Sequence, residues 1–493
     1  MARTAHLGVT GLTGLLAVAA LIVVASIAPP HHHRVFVSAS SSAPKTSSLP
    51  RFPRESPNAP SKKVTLRSVQ IIHRHGDRTP ITPMKNETFW GSILPPPHVL
   101  EGIAKGTKLA HDDNSRAGVN HAAGGKGVFG QLSQLGLLQM VDLGNRLREE
   151  LHLDVPASND DDIHHEDEHG NKHIYGGKLF HEKAPLHPRR IKVTSTNFPR
   201  TIQSVQGLLV GLFPDGTDDD HHVCIDVRKT NEMIPDPQPR RTQEQIDLEK
   251  LLAARPHLAQ KEEEMRGLAV RATDAIRHTL GDDYEKFIFG VGEENGDSSS
   301  DGSAHQTKPL PWSQLAEITT CLKARDMLPD EITDADQEAI SGHAAWRWFE
   351  NLRNPRLARL AMYEMVQDMV NGLHKSKNCP RKGTNDDEPL LHVFSAHDST
   401  LMGLICAFHL ENPSQWPHYA SYIKVELIEV EDVGGERPRR DYFVRFSLNG
   451  EVLRSAWSRD EESGELCDLI SLDKLTEMVN KEHHDDEAAV MKG

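Results

Sequence analysis

Val64-Thr65-Leu66-Arg67-Ser68-Val69-Gln70-Ile71-Ile72 runs through His73 into Arg74-His75-Gly76-Asp77-Arg78-Thr79-Pro80. The first part is apolar and β-branched enough to form a sheet strand. Gly76 lets the backbone turn sharply, and Pro80 prevents a helix from following at once. A histidine is therefore set between two arginines at the end of a strand. A neutral imidazole is a good nucleophile toward phosphorus, and guanidinium forks match phosphate oxygens in pairs. Arg-His-Gly alone reads as a basic surface turn. The full spacing Arg-His-Gly-x-Arg-x-Pro favours a phosphate site.

Two further segments repeat the arrangement. Ile191 to Thr196 reads as a core strand running into Asn197-Phe198-Pro199-Arg200, and Pro389 to Ala396 as a buried strand ending in His397-Asp398. In open α/β sheets, ligands bind beyond the carboxyl ends of the strands. If the three strands are parallel neighbours, Arg74, His75, Arg78, Arg200, His397 and Asp398 converge on one crevice.

The chain has 493 residues and a net charge of -15. That charge argues against nucleic acid as a partner and leaves any phosphate site dependent on local arginines. A mean hydropathy of -0.51 points to polar insertions around an ordinary core. Five scattered cysteines, without a Cys-x-x-Cys pair, make a zinc site an unattractive reading. One or two disulfides are compatible with secretion. Leu7 to Ala28 carries no charge and has the length of a signal anchor. Entry into the secretory pathway is the expectation, secreted, lysosomal or anchored in the membrane if this segment is uncleaved. The acid-free, Ser-rich stretch Ser38 to Ser48 makes the mitochondrion the alternative. Asn86-Glu87-Thr88 is a glycosylation sequon on the first route.

Residues 1–61 are assigned to the signal or anchor segment and a Pro/Ser-rich linker. Residues 62–214 and 388–470 form an α/β core, 215–387 an inserted and mainly helical cap, and 471–493 a frayed acidic tail. The fold expected is a mixed, mostly parallel sheet flanked by helices. Helical patterns cover Ser133 to Glu150 (capped by Ser133), Gln243 to Ala254, Lys261 to Leu280, Trp312 to Arg325, and one long run from Asp334 to Leu373. Strands are expected at Tyr422 to Val430 and Asp441 to Leu448. Leu94 to Gly127 reads as mostly loop, and the Asp/His-rich stretch at 160–173 as a solvated insertion. Its histidines match no closed metal site.

The chain resembles the histidine acid phosphatases, the larger-capped branch of the histidine phosphatase superfamily. The resemblance rests on Arg74 to Pro80, and on Gly130-Gln131-Leu132-Ser133 with Gly136, Gln139, Leu143-Gly144 and Leu147-Arg148. It continues through Ser195-Thr196-Asn197, Arg200, Leu208-Leu209, Gly211-Leu212-Phe213, His397-Asp398, Trp416-Pro417 and Glu426-Leu427. It spans roughly 64–214 and 388–455. Within the family, the Gln131 helix and the Ser195 run are most like the lysophosphatidic acid branch.

The resemblance implies a phosphomonoesterase that forms a phosphohistidine on His75. Arg74, Arg78, Arg200 and His397 would bind the phosphate, and Asp398 would protonate the leaving group. It implies no cofactor and no metal. Lysophosphatidic acid, giving monoacylglycerol, is the first substrate reading, and phytate or another inositol phosphate the second. A non-catalytic phosphate- or lipid-binding module is the third. The arginines around His75, and a protonated Asp398, suggest an optimum below neutrality.

Overall fold

The computed structural model describes residues 62–490 except 111–126, 152–162, 167–171, 177–178, 181–185, 215, 217–221, 230–231, 236–241, 283, 290–307, 380–388, 414–415, 433–438 and 461–462. The segment at 7–28, expected to be a signal or anchor, lies outside these. Among the described residues no helix is long and apolar enough to cross a membrane.

The strand before His75 is β1 (Lys62–Arg74), and it forms the centre of a mixed sheet. On one side it pairs in parallel with β7 (Leu391–Ala396), followed by β5 (Ile191–Thr196), β6 (Val223–Arg228) and the edge strand β2 (Thr107–Ala110). On its other side β8 (Tyr422–Asp432), β9 (Arg440–Leu448) and β10 (Glu451–Leu453) continue antiparallel. A short β11 (Ile470–Ser471) pairs with β9. This is the mixed, helix-flanked α/β sheet expected.

Both faces of the centre are covered, as the alternation in β1 requires. Val69 and Ile71 join Leu143, Leu147, Val205 and Leu208 on one face. Ile72 joins Phe394, Met362, Met369 and Leu401 on the other. Each fully buried aliphatic side chain of this kind stabilises the fold by about 1.5–3 kcal/mol. The first face is supplied by the helices Gln134–Glu150 and Pro199–Leu212. The first of these is capped as anticipated, with Ser133 Oγ accepting from Gly136 N at 3.0 Å. The two helices cross at glycines. A Cβ on Gly144 would lie 2.1 Å from Leu208 O, and one on Gly211 2.2 Å from Val141 O. Backbone-to-backbone packing this close excludes any side chain.

Several expectations need correction. The run from Asp334 to Leu373 is two helices, Asp334–Leu352 and Pro355–Asn378. Pro355 cannot continue a helix but suits the first turn of a new one, which Asn354 caps by accepting from Leu357 N at 3.1 Å. The 160–173 insertion carries β3 (Ile163–Glu166) and β4 (Lys172–Gly176), and β4 pairs in parallel with the start of β1. Strand pairing uses backbone groups, so a polar sequence does not prevent it. The stretch at 94–127 contains the helix Pro97–Ala104 and β2.

Within the 215–387 stretch, β6 belongs to the central sheet and Pro355–Asn378 packs on it. The acidic end forms the helix Leu472–Val490, whose Leu472, Leu475 and Val479 are buried in the core. All five cysteines are unpaired.

Candidate functional site

Strand register brings the site together. Arg74 stands opposite Ala396 across the β1–β7 pair, and Ser195 opposite Ser395 across β5–β7. The three parallel strands therefore end at one level, and the residues that follow them meet. His75 N donates to Ala396 O at 3.0 Å, extending the ladder by one bond. All six side chains singled out from the sequence are at this edge. Arg74, His75, Arg78, Arg200 and His397 are buried, and the Asp398 side chain is 22% exposed.

The turn at Gly76 exists because backbones touch there. A Cβ on Gly76 would lie 2.2 Å from Gly136 O, and one on Gly136 2.0 Å from Asp77 O. Gly76 N donates to Ser204 Oγ at 3.1 Å, and Asp77 N to Gln139 Oε1 at 2.8 Å. The two helices on that face thus hold the loop.

His75 Nδ1 lies 2.8 Å from Gly76 O. A carbonyl only accepts, so Nδ1 carries the hydrogen and Nε2 presents its lone pair. Burial first, and then the charges of Arg200, His397, Arg74 and Arg78, hold His75 well below its ordinary pKa. These influences favour the neutral ring. His397 is depressed the same way by burial and Arg200, and its Nε2 lies 3.0 Å from Thr196 Oγ1. The two rings meet edge to face, with centroids 5.4 Å apart.

The three guanidiniums share a pattern. Each ties Nη1 to a backbone carbonyl: Arg74 to Pro417 O at 2.6 Å, Arg78 to Thr79 O at 3.0 Å, and Arg200 to Gly130 O at 3.3 Å. In each, Nε is buried without a hydrogen-bond partner. Orphaned buried donors are costly, and three guanidiniums near one imidazole have the charge and the donors to hold an anion with several oxygens. Burial, followed by the charge of Arg78, lowers Arg200 to about 9. Like charges this close gain from an anion among them.

Asp398 opens the helix Asp398–Ala407. Its Oδ2 accepts from Arg74 Nη2 and Trp416 Nε1, both at 2.8 Å, and its Oδ1 from Ser399 N at 2.8 Å. Burial by itself would push this carboxyl up. Arg74 first, then Trp416, His397 and Ser399, overcome that and leave it below its ordinary value. The expectation of a protonated Asp398 meets a carboxylate here.

Sequence reasoning missed five residues. Asp77 is buried and accepts from Arg325 Nη2 at 2.6 Å and from Ser133 Oγ. Glu317 accepts from Arg78 Nη1 at 2.7 Å, and Cys321 Sγ lies 3.6 Å from Arg78 O. The ring of Tyr419 stacks under Arg74, with the guanidinium carbon 4.1 Å from its centroid. Glu317, Cys321 and Arg325 fall four residues apart on the Trp312–Lys323 helix and just beyond it. That periodicity was the one available signal, and it looks like any helix face. No group of three or more metal-ligating side chains occurs among the described residues.

The chain is similar to several known proteins. Counting factor 60 of Dictyostelium discoideum is 25% identical over 81% of this chain and 83% of its own length. Lysophosphatidic acid phosphatase type 6 of Bos taurus is 22% identical over 78% and 77%. Lysosomal acid phosphatase of Bos taurus is 23% identical over 84% and 78%. Among solved structures, the phytase of Hafnia alvei in complex with tartrate shares the fold with a TM-score of 0.50. It is 12% identical and covers 85% of this chain and 97% of that one. The family model described as histidine phosphatase superfamily (branch 2) matches residues 65–449, and the chain belongs to that family of histidine acid phosphatases.

Proposed function

We propose that this chain hydrolyses phosphate monoesters through a phosphohistidine on His75. The observation that carries the reading is the single open ring nitrogen of His75 among three guanidiniums with unpartnered Nε donors. His75 Nε2 attacks phosphorus in line, the P–O bond to the leaving group breaks, and its electron pair goes to the alkoxide. Arg74, Arg78, Arg200 and His397 hold the equatorial oxygens, where charge must be stabilised. Asp398 gives its proton to the alkoxide. It then takes one from water as the hydroxide attacks phosphorus and the P–N bond returns its pair to Nε2.

Asp398 must gain the proton it donates. With both histidines neutral and the Asp77–Arg325 pair cancelling, Arg74, Arg78 and Arg200 face Asp398 and Glu317, leaving one net positive charge. A dianionic monoester is better balanced if one proton enters with it. Taking Arg74 Nη2 onto phosphate would remove the strongest influence that depresses Asp398, so binding and protonation support each other. Mild acid favours both, since the second phosphate pKa is about 6.

For the leaving group, lysophosphatidic acid is the substrate we favour. Relatives named lysophosphatidic acid phosphatase support this. So does the aromatic flank of Asp398, where Trp416 meets Trp348 edge to face at 6.1 Å between centroids. Inositol phosphates are the second reading, since the 12%-identical phytase shares only the fold. The apolar segment at 7–28 and the lysosomal relative support a secretory or lysosomal location.

The test is phosphate release from lysophosphatidic acid at about pH 5.5, where a neutral imidazole and a protonated carboxyl can coexist. The assay contains chelator and compares wild type with His75→Ala, with inositol hexakisphosphate in parallel. Activity surviving chelator and lost in the variant is the expected result. Release only from the inositol phosphate would replace the substrate, and release from neither of these nor from a simple aryl phosphate would overturn the enzymatic reading.

A further inference from the structure

Arg78 donates to Glu317 as well as to its own loop. Both bonds use Nη1, while Nε is buried and unpartnered. That leaves Nε, on the side-on edge that can grip two oxygens at once, without a partner. Glu317 is itself fixed. Oε1 also accepts from Ile81 N at 2.7 Å, and Oε2 from Thr82 Oγ1 at 3.4 Å. Those donors directly follow Pro80, so one carboxylate binds the end of the loop and its arginine together. Its side chain is 13% exposed, beside an Arg78 side chain that is 6% exposed.

Glu317 comes from the Trp312–Lys323 helix, in the part of the chain where the sequence resemblance is loose. Two turns further on, Arg325 donates to both oxygens of Asp77, at 3.3 and 2.6 Å. The helix and the turn just past its end thus clamp consecutive residues of the motif.

We propose that Glu317 is a positioning residue for the phosphate site, aligning the open edge of Arg78 and limiting how tightly the cradle holds phosphate. The proposal rests on the phosphatase reading above. Its two parts make different demands on the side chain. Alignment needs an acceptor at Oε1. Restraint needs the negative charge, which offsets Arg78 and lets phosphate depart.

Glutamine separates them. In Glu317→Gln an oxygen can still accept from Arg78 and Ile81, and Thr82 can turn its hydroxyl to accept from the amide. Glu317→Ala removes both acceptor and charge. In the full chain, the competitive inhibition constant and calorimetric affinity for inorganic phosphate are measured with kcat, KM and the thermal midpoint. The expected result for glutamine is phosphate bound about tenfold more tightly, with kcat and KM both lower. For alanine, phosphate binds about tenfold more weakly and kcat/KM falls about a hundredfold.

Unchanged or weaker phosphate binding in the glutamine variant would overturn the restraint. Binding in the alanine variant as tight as in the glutamine variant, which lacks the same charge, would overturn the alignment. If both variants lose activity only in proportion to their folded fraction, Glu317 is a structural residue and the proposal fails. Should wild type hydrolyse no monoester, the phosphatase reading falls instead, and calorimetric phosphate binding still tests Glu317.

Discussion

Arg74 Nη2 and Asp398 Oδ2 lie 2.8 Å apart, so the strand-end arginine of the phosphate cradle and the carboxylate opening the next strand's helix share one contact. On the phosphatase reading, a phosphate oxygen bound at Arg74 Nη2 would meet Asp398 at the same nitrogen, while Nε stays unpartnered.

Asp398→Asn cannot donate a proton and should lower kcat by about 10²–10⁴ on an alkyl phosphate. The loss on p-nitrophenyl phosphate should be much smaller, because that leaving group departs without a proton. Equal losses on the two esters would remove the proton-donor role.

Trp416 donates to the charged form of Asp398 at 2.8 Å. Losing a donor to the carboxylate raises its pKa, so Trp416→Phe should move the alkaline limb of the kcat profile toward neutrality. A pH–rate series on both proteins checks the direction.

Arg78 and Arg200 each keep a buried Nε without a partner. Lysine keeps the charge but offers no planar pair of donors, so either Arg→Lys change should cost about a hundredfold in kcat/KM. A variant retaining half of wild-type efficiency would show that charge alone suffices.

His73 bears on stability in acid. It is fully buried, and burial lowers it to about 4 against an opposing bond to Arg74 O. The unfolded chain has the ordinary value of about 6.5, so it binds the proton first as pH falls. Stability is therefore present above about pH 6.5 and lost toward pH 4, by roughly 3 kcal/mol from this group. Burial depresses His75, His392 and His397 in the same direction. Denaturant unfolding at pH 7 and pH 4.5 should show a smaller difference in His73→Phe than in wild type.

The helix crossing offers a test of packing. Gly144→Ala puts a methyl 2.1 Å from Leu208 O, where only backbone could move to relieve it. A loss of about 2 kcal/mol or more is expected, with a lower thermal midpoint. The neighbouring Asn145→Ala serves as control.

Much of this protein is legible locally. The strands ending in Arg74, Thr196 and Ala396 are apolar, β-branched runs closed by turn residues, and their limits fall within a residue or two of expectation. Polar segments were harder. β4 joins β1 through backbone groups that any sequence possesses, and a periodic pattern hid the helix break at Pro355. Glu317 and Arg325 sit on an ordinary amphipathic helix, 239 and 248 residues from their partners.

By itself, the sequence determined which side chains could do phosphate chemistry and that each lay at or just after the end of a strand. Those properties depend on residue type and on short-range periodicity. Only the tertiary structure decided that the strands end at one level, that His75 leaves Nε2 open, and that Arg74 and Arg78 already hold carboxylates from distant segments. Register, tautomer and ion pairing depend on which groups meet in space, and contacts between residues hundreds of positions apart leave no periodic trace in the chain.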